Sequence, residues 1–259
     1  VPEGLEIELY RERAEAALGR VIEHVRAPDA WYLKGGLTAA DLRAALIGTS
    51  LQRARRIGKL LLLDVDDGHV LGLRFGMSGR LLVDDQPAIE RLEYASGRDD
   101  PTWDRFGLGF GDGGDLRVSD PRRLGGVTLD PVVDLGPDAL AVTRRQLRSI
   151  LAGSRAPVKA RLLDQQRLAG LGNLLVDEVL WRAGIDPNRP AGSLDEAEVE
   201  RLHRTIRRTL PQLLARGGSH TGDLMAARVP GGLCPRDGAP LRREAVGGRT
   251  TYWCPAHQA

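Results

Sequence analysis

The residues best suited to chemistry lie at the two ends of this 259-residue chain and on a few lysines. Near the start, Pro2 is followed by Glu3 and, one helical turn on, Glu6. A proline at a chain terminus is a secondary amine. It can attack an electrophilic carbon and form an iminium without metal or cofactor. A neighbouring carboxylate can supply or remove the protons. The same residues also read as a plain lead-in to a helix. Val1 is what a GTG start codon spells when translated literally, so we expect it to stand for an initiator Met that is removed, leaving Pro2 first. Near the end, Cys234-Pro-Arg-Asp237 and Cys254-Pro-Ala-His257 form two pairs of equal spacing with sixteen residues between them. Zinc binds Cys, His and Asp in tetrahedral sites, and this spacing lets one knuckle supply two ligands. The alternative is a metal-free hairpin with two thiols. Between the pairs, Gly247-Gly248 followed by Arg249 reads as a hairpin tip that pushes a guanidinium outward, to a ligand or to water. Lysine occurs only at Lys34, Lys59 and Lys159, against many arginines.

The elements that position these residues follow from periodicity and turn signals. Hydrophobic content of 42% supports real cores, and the net charge of +2 makes the chain no bulk polycation. No run of about 18 apolar residues suggests a membrane span. The charged start is not a signal peptide, so a cytoplasmic protein is expected. Two late Cys in that setting suggest a metal site more than a disulfide. Glu3–Leu18 reads as an amphipathic helix ended by Gly19. Strand-like runs follow at 20–27, 48–55, 59–65, 69–75, 80–83, 106–111 and 115–119, with Leu92–Tyr94 as a further extended piece, which is most economically a β-sandwich. From Thr143 the pattern turns helical at 144–152, 157–166, 173–183 and 195–216, the last with Ser193 and Glu196 as its capping box. The expected division is 1–132, a linker 133–149, a helical domain 150–228, and a terminal module 229–259.

Within the helical part, Gln165–Pro187 stands out. Gly170 and Gly172 bracket a turn, Asn173 sits at the expected N-cap of an amphipathic helix, and Gly184 at its C-cap. Such a turn offers free N–H groups that suit a phosphate. An ordinary packing turn is the other reading. Lys159, just upstream, reads as part of a solvated helix face, with a phosphate contact as the other reading.

Several of these pieces recur together. The start Pro2-Glu3-Gly4, the hairpin Gly58-Lys59-Leu60-Leu61-Leu62, the loop Phe75-Gly76-Met77-Ser78-Gly79, the segment Asp120-Pro121-Arg122-Arg123-Leu124-Gly125, the turn through Asn173 and the terminal Cys pairs stand in one order. In that order they resemble the formamidopyrimidine-DNA glycosylase and endonuclease VIII family of base-excision repair enzymes, over nearly the whole chain. The Pro2-Glu3-Gly4 start looks nearer the endonuclease VIII branch. The resemblance implies an α+β fold: an N-terminal β-sandwich with a leading helix, a helical domain with a helix–two-turns–helix motif, and a β-hairpin zinc finger.

It implies a bifunctional DNA glycosylase and abasic-site lyase, acting as a monomer on double-stranded DNA with damaged bases or abasic sites. By resemblance, Pro2 attacks the sugar C1′ and forms a Schiff base that leads to β- and δ-elimination, Glu3 is the acid/base, Glu6 is a further acidic position, and Lys59 contacts phosphate beside the lesion. Asn173, with Gly172 beside it, and Arg249 grip flanking phosphates, while Met77, Arg122 and Leu124 fill the gap left by a flipped nucleotide. Cys234, Asp237, Cys254 and His257 hold a structural Zn2+, and no organic cofactor is implied. The chain departs from the pattern at Leu5 (usually Pro), Leu124 (usually Phe), and Asp237 and His257 (usually Cys). The segment 217–233 is short for one that caps an oxidised purine, which turns the expectation towards oxidised pyrimidines or bulkier and alkylated bases. The competing function is a lesion-binding protein of the same fold with a blocked terminus. A metal-dependent hydrolase is disfavoured, because the sequence offers no convincing His/carboxylate cluster outside the terminal pairs.

Overall fold

A computed structural model describes residues 2–89, 92 and 98–259. Val1 and most of the extended piece expected at Leu92–Tyr94 lie outside the described residues. The chain divides into two compact units: Pro2 with Glu6–Val133, and Glu3–Leu5 with Asp134–Ala259.

In the first unit, strands β1 (Ile22–Arg26), β2 (Leu51–Ile57), β3 (Leu60–Val65), β4 (Val70–Arg74), β5 (Arg80–Val83), β6 (Gln86–Pro87), β7 (Asp104–Phe110), β8 (Asp115–Ser119) and β9 (Gly126–Leu129) form two antiparallel sheets. One runs β1-β7-β8-β5-β6 and the other β2-β3-β4-β9. The strand residues that face inward, such as Leu61, Leu63, Leu71, Leu73, Leu108 and Val118, form one core with Ile7, Tyr10 and Ala14 of helix α1 (Gly4–Ala14). This is the expected sandwich, because alternation along each strand supplies one apolar face per sheet. Helix α2 (Ala39–Leu46) was not expected, although Thr38 and Asp41 form a capping box at its start. Helix α1 does not have the expected single apolar stripe. Its first turn is buried all round, so Glu3 and Glu6 are each only 1% exposed.

The second unit holds α3 (Arg144–Leu151), α4 (Val158–Leu163), α5 (Asn173–Ala183) and α6 (Glu196–Ala215). Helix α6 buries Val199, Leu202, Ile206, Leu210 and Leu213, a stripe at three- and four-residue spacing. Its capping box is Asp195 with Glu198, not Ser193 with Glu196. Helix α5 is buried on almost every side rather than amphipathic. Its C-cap is Gly184 in the left-handed conformation, as expected. Strands β10 (Arg242–Val246) and β11 (Arg249–Trp253) pair across a two-residue turn, Gly247-Gly248, with both glycines at positive φ. That turn type admits few residues other than glycine at both positions, and it sets Arg249 at the start of β11.

Candidate functional site

The first carboxylate of the chain is held by the turn that opens α5. Glu3 Oε2 accepts from Gly172 N at 2.8 Å and from Leu175 N at 3.1 Å, and Oε1 accepts from Leu174 N at 2.8 Å. Two of these donors belong to the first turn of α5 and the third to its N-cap, Gly172, so Glu3 caps the helix from 169 residues away. A helix N-terminus favours an anion by its unpaired N–H groups and its dipole. The glycines serve this docking. A Cβ on Gly172 would overlap the Glu3 carboxyl group, and one on Gly4 would meet Gly170 O at 2.9 Å. Gly4 N donates to Gly170 O at 2.8 Å. The sequence reading of this turn as a phosphate cradle is therefore corrected: its N–H groups bind Glu3. Asn173 is not the N-cap either, since Gly172 takes that place and no side chain of its own caps the helix.

Asn173 instead turns towards the hairpin. Its Nδ2 donates to Thr250 O at 2.9 Å, next to Arg249, and a second amide hydrogen remains. Its Oδ1 is buried and accepts no hydrogen bond. Arg249 itself is exposed. Lys159 fixes the same hairpin from beneath, and here the sequence reading fails. Its side chain is 0% exposed, not solvated. Lys159 Nζ donates to Asp177 Oδ1 at 2.6 Å, Thr251 Oγ1 at 2.8 Å and Thr250 O at 3.3 Å. Asp177 Oδ2 accepts from Tyr252 N at 3.2 Å and pairs with Arg228. Burial pushes the Lys159 amine below its ordinary value, against the pull of Asp177. Nothing local marks this lysine. Its partners lie 18 and 92 residues away.

In the first unit, Pro2 and Glu6 are buried. Lys59 is half-buried in the two-residue turn between β2 and β3, where Ile57 pairs with Leu60. Arg56, which stands in the same hairpin motif and has no role assigned from the sequence, holds that turn: its Nη1 donates to Gly58 O at 3.0 Å and its Nε to Glu8 Oε2 at 2.6 Å. Burial works against ionisation of Glu8, yet Arg56 and Arg11 together hold its carboxyl below the usual range.

Met77 is half-buried, Arg122 is exposed and Leu124 is 51% exposed, a large apolar side chain left in water. Their two loops are packed together, because a Cβ on Gly76 would meet Leu124 Cβ at 2.7 Å. The knot between them is Asp120, which is 0% exposed. Its Oδ1 accepts from Ser78 Oγ at 2.6 Å and Arg122 N at 3.2 Å, and its Oδ2 from Leu124 N and Gly125 N, each at 2.9 Å. Asp120 lay inside a recognised motif but was not singled out as a site residue. We expect Asp120→Ala to cost about 2–4 kcal/mol, since it strands several buried donors at once. Chemical denaturation of both proteins checks this, and an unchanged unfolding midpoint would refute it.

The four terminal donors do converge. One ligand atom from each of Cys234, Asp237, Cys254 and His257 lies within 4.8 Å of all the others. His257 Nδ1 is 2.6 Å from Asp237 Oδ2 and 3.8 Å from Cys234 Sγ, and Cys254 Sγ is 3.4 Å from Asp237. Both cysteines are buried, while Asp237 is exposed. The Ala239 N–H, then His257, hold the Asp237 carboxyl well below its usual range. Trp181 forms an outer ring of support. Its Nε1 donates to Cys234 Sγ at 3.3 Å, and its carbonyl lies 3.2 Å from His257 Nε2. That leaves Nδ1 facing the cluster, the pattern in which a ligating imidazole gives its other N–H to a carbonyl. Two thiols, an imidazole and a carboxylate fit zinc.

Comparison with known proteins gives two family matches: the formamidopyrimidine-DNA glycosylase N-terminal domain over residues 1–127 and the formamidopyrimidine-DNA glycosylase H2TH domain over 135–224. Both stop short of the four-donor cluster. The formamidopyrimidine-DNA glycosylases of Paracoccus denitrificans and Geobacillus kaustophilus are 35% and 32% identical, each aligned over 100% of both chains. Two solved structures of the Lactococcus lactis protein are similar over 99% of both chains. One is in complex with an N7-benzyl-Fapy-dG containing DNA (TM-score 0.84, 27% identity), the other with an abasic site containing DNA (TM-score 0.83, 26% identity). These relatives lend no support to the endonuclease VIII branch suggested by the Pro2-Glu3-Gly4 start. Among the described residues, no helix is long and apolar enough to cross a membrane.

Proposed function

The chain belongs to the formamidopyrimidine-DNA glycosylase family, and on that premise we propose how its residues divide the work of base excision. It is a DNA glycosylase of base-excision repair, and abasic-site lyase activity is characteristic of the family. Its partner is duplex DNA carrying damaged bases or abasic sites, and the site of action we propose is the bacterial nucleoid. The working division is 1–132 for chemistry, the helices from α3 to 228 for the backbone grip and 229–259 for the finger; the linker expected at 133–149 is shorter, because α3 already begins at Arg144 and the second unit at Asp134.

The observation that carries the reading is the seat of Glu3. A carboxylate 1% exposed, fixed by three N–H donors, directly follows the proline. In the proposed reaction the Pro2 nitrogen attacks C1′ as the bond to the damaged base breaks, and the base leaves with a proton. The proton that Pro2 loses on bonding to C1′ passes to the Glu3 carboxylate; ring opening then releases O4′, which takes that proton from Glu3, and leaves an iminium between Pro2 and C1′. The iminium acidifies the C2′ hydrogen. Its loss expels the 3′ phosphate, which is strand cleavage by β-elimination. Glu6 adds a second buried carboxyl near the start of the same helix, and Lys59 at its turn pairs with phosphate beside the lesion.

A base inside the stack cannot be reached, so the nucleotide must leave the duplex at a cost of a few kcal/mol. Leu124, Met77 and Arg122 offset part of that by filling the gap. Arg249 and the remaining amide hydrogen of Asn173, beside Gly172, hold phosphates without reading sequence.

The test is borohydride trapping on duplexes that carry an abasic site, a ring-opened purine or an oxidised pyrimidine. A covalent protein–DNA adduct is expected, and its absence on all three would refute the reading.

For the finger we assign zinc to Cys234, Asp237, Cys254 and His257; bound there it ties the two knuckles together. The purified chain should carry about one zinc. His257→Ala should lose it to a mild chelator, and Asp237→Cys should hold it more tightly, because a thiolate is a softer ligand. Metal content and chelator competition measure both, and equal zinc retention in all three proteins would contradict the assignment.

A further inference from the structure

Trp31 is 68% exposed, the most exposed aromatic side chain among the large apolar residues left on the surface. Single exposed apolar residues are common and need no explanation. This one is set apart by how firmly it is held and by what holds it. It lies in a short 3-10 turn, Ala30–Tyr32, capped by Asp29, whose Oδ1 accepts from Trp31 N at 3.1 Å. The same Asp29 carboxylate receives the Arg123 guanidinium through two hydrogen bonds of 2.6 and 2.7 Å. Arg123 sits between Arg122 and Leu124, and at φ +56° it occupies a strained backbone conformation. The Arg123 guanidinium holds the Asp29 carboxyl below its ordinary range. Trp31 is thus tethered to the loop that carries the proposed wedge.

Lys34 completes the arrangement. Its Nζ lies 4.8 Å from the centre of the Trp31 ring and donates to Trp31 O at 2.6 Å. Its backbone N donates to Val127 O at 2.9 Å, just beyond the wedge loop. Beside this patch Lys34 covers the ring, and Arg105 and Arg123 face the single carboxylate of Asp29, an excess of two positive charges. An aromatic face beside a cation, within a basic surround, is the surface that stacks a nucleobase and pairs with its phosphate.

We infer that Trp31 and Lys34 form a second DNA contact, in which Trp31 stacks on a nucleotide unstacked by the Arg122–Leu124 wedge and Lys34 pairs with its phosphate. The inference rests on the DNA-binding reading of that wedge. It gives Lys34 a role that its place in the sequence did not suggest. It also explains why Asp29 links the two segments: the wedge and the platform then move as one piece.

The test measures binding to two labelled duplexes, one intact and one with a tetrahydrofuran abasic analogue. Trp31→Ala should weaken binding to the abasic analogue roughly tenfold, in line with base–aromatic stacking, and binding to the intact duplex by no more than about twofold. Lys34→Gln should reduce the slope of log affinity against log salt by about 0.9, the loss of one phosphate contact. Trp31→Phe keeps the packing, and should remove the part of the tryptophan emission change on binding that stems from Trp31. An emission change identical in wild type and Trp31→Phe, or a Trp31→Ala loss equal on both duplexes, would overturn the inference. Wild-type trapping on abasic DNA separates the two levels. A trapped wild type with no Trp31 effect removes only this contact, whereas a wild type that neither binds nor traps removes the parent reading.

Discussion

With Pro2 as its first residue, the chain should form a covalent adduct with abasic DNA that borohydride captures. With any residue left in front of Pro2, the adduct should fall by at least about a thousandfold in rate, roughly 4 kcal/mol of barrier. The physical reason is the nitrogen lone pair. In a terminal secondary amine it is available to C1′. In an acylated proline it is delocalised into the amide and cannot attack. Pro2→Gly should lose the adduct as well. The primary amine remains, but the ring that fixes its direction is gone, and orientation is a large part of such rate enhancements. Mass spectrometry of the intact terminus, run beside the trapping gel, checks the prediction. An equal yield of adduct from a chain verified to carry a residue ahead of Pro2 would show that another amine is the nucleophile. The lesion-binding alternative makes the opposite forecast: binding without an adduct whatever the terminus.

The second large effect concerns Glu3, which caps α5 and to which we assign the acid/base role. Glu3→Gln should lower turnover by about a hundredfold or more, the usual scale for a lost acid/base group. It should also destabilise the protein by about 2–4 kcal/mol. A carboxylate presents two acceptor oxygens to Gly172, Leu174 and Leu175. A glutamine presents one oxygen and an amino group, which turns two hydrogens towards a backbone donor. Hydrogen bonds to a charged group are also the stronger kind. Thermal unfolding and single-turnover kinetics separate the duties. If Glu3→Gln melts early but turns over normally, Glu3 is a cap and the acid/base lies elsewhere, with Glu6 next in line. If it is stable but inactive, the cap contributes little. Glu3→Asp keeps the charge but shortens the reach, so it should recover part of the stability and little of the rate.

The Glu3 prediction bears on the turn that opens α5. Its glycines suggested a phosphate cradle, and local spacing supports that as well as it supports anything else. The cradle exists, but the anion in it is the chain's own Glu3. On the proposed reading, DNA is held by Arg249 and one amide hydrogen of Asn173. The assignment of Asn173 to the DNA backbone is unchanged in kind, though half of its amide is committed to Thr250.

By itself the sequence determined what depends on short spacing. Period-two alternation and turn residues placed seven of the described sandwich strands to within a few residues, and missed the short β6 and β9. The Gly247-Gly248 tip fixed the final hairpin, Gly184 ended α5, and the two equally spaced pairs named four donors that do meet. Where two local signals competed, as with the capping residues of α6, it chose the neighbouring box. It passed over α2 although Thr38 and Asp41 marked it. What only the tertiary structure decided are the partners of charged groups. Glu3 finds its donors 169 residues on, Lys159 its hydroxyl 92 residues on, and Arg123 its carboxylate 94 residues back. No periodicity records such pairings. A buried charge is stable only where the fold brings donors and acceptors to it, and that depends on how distant segments pack rather than on the residues beside it in the chain.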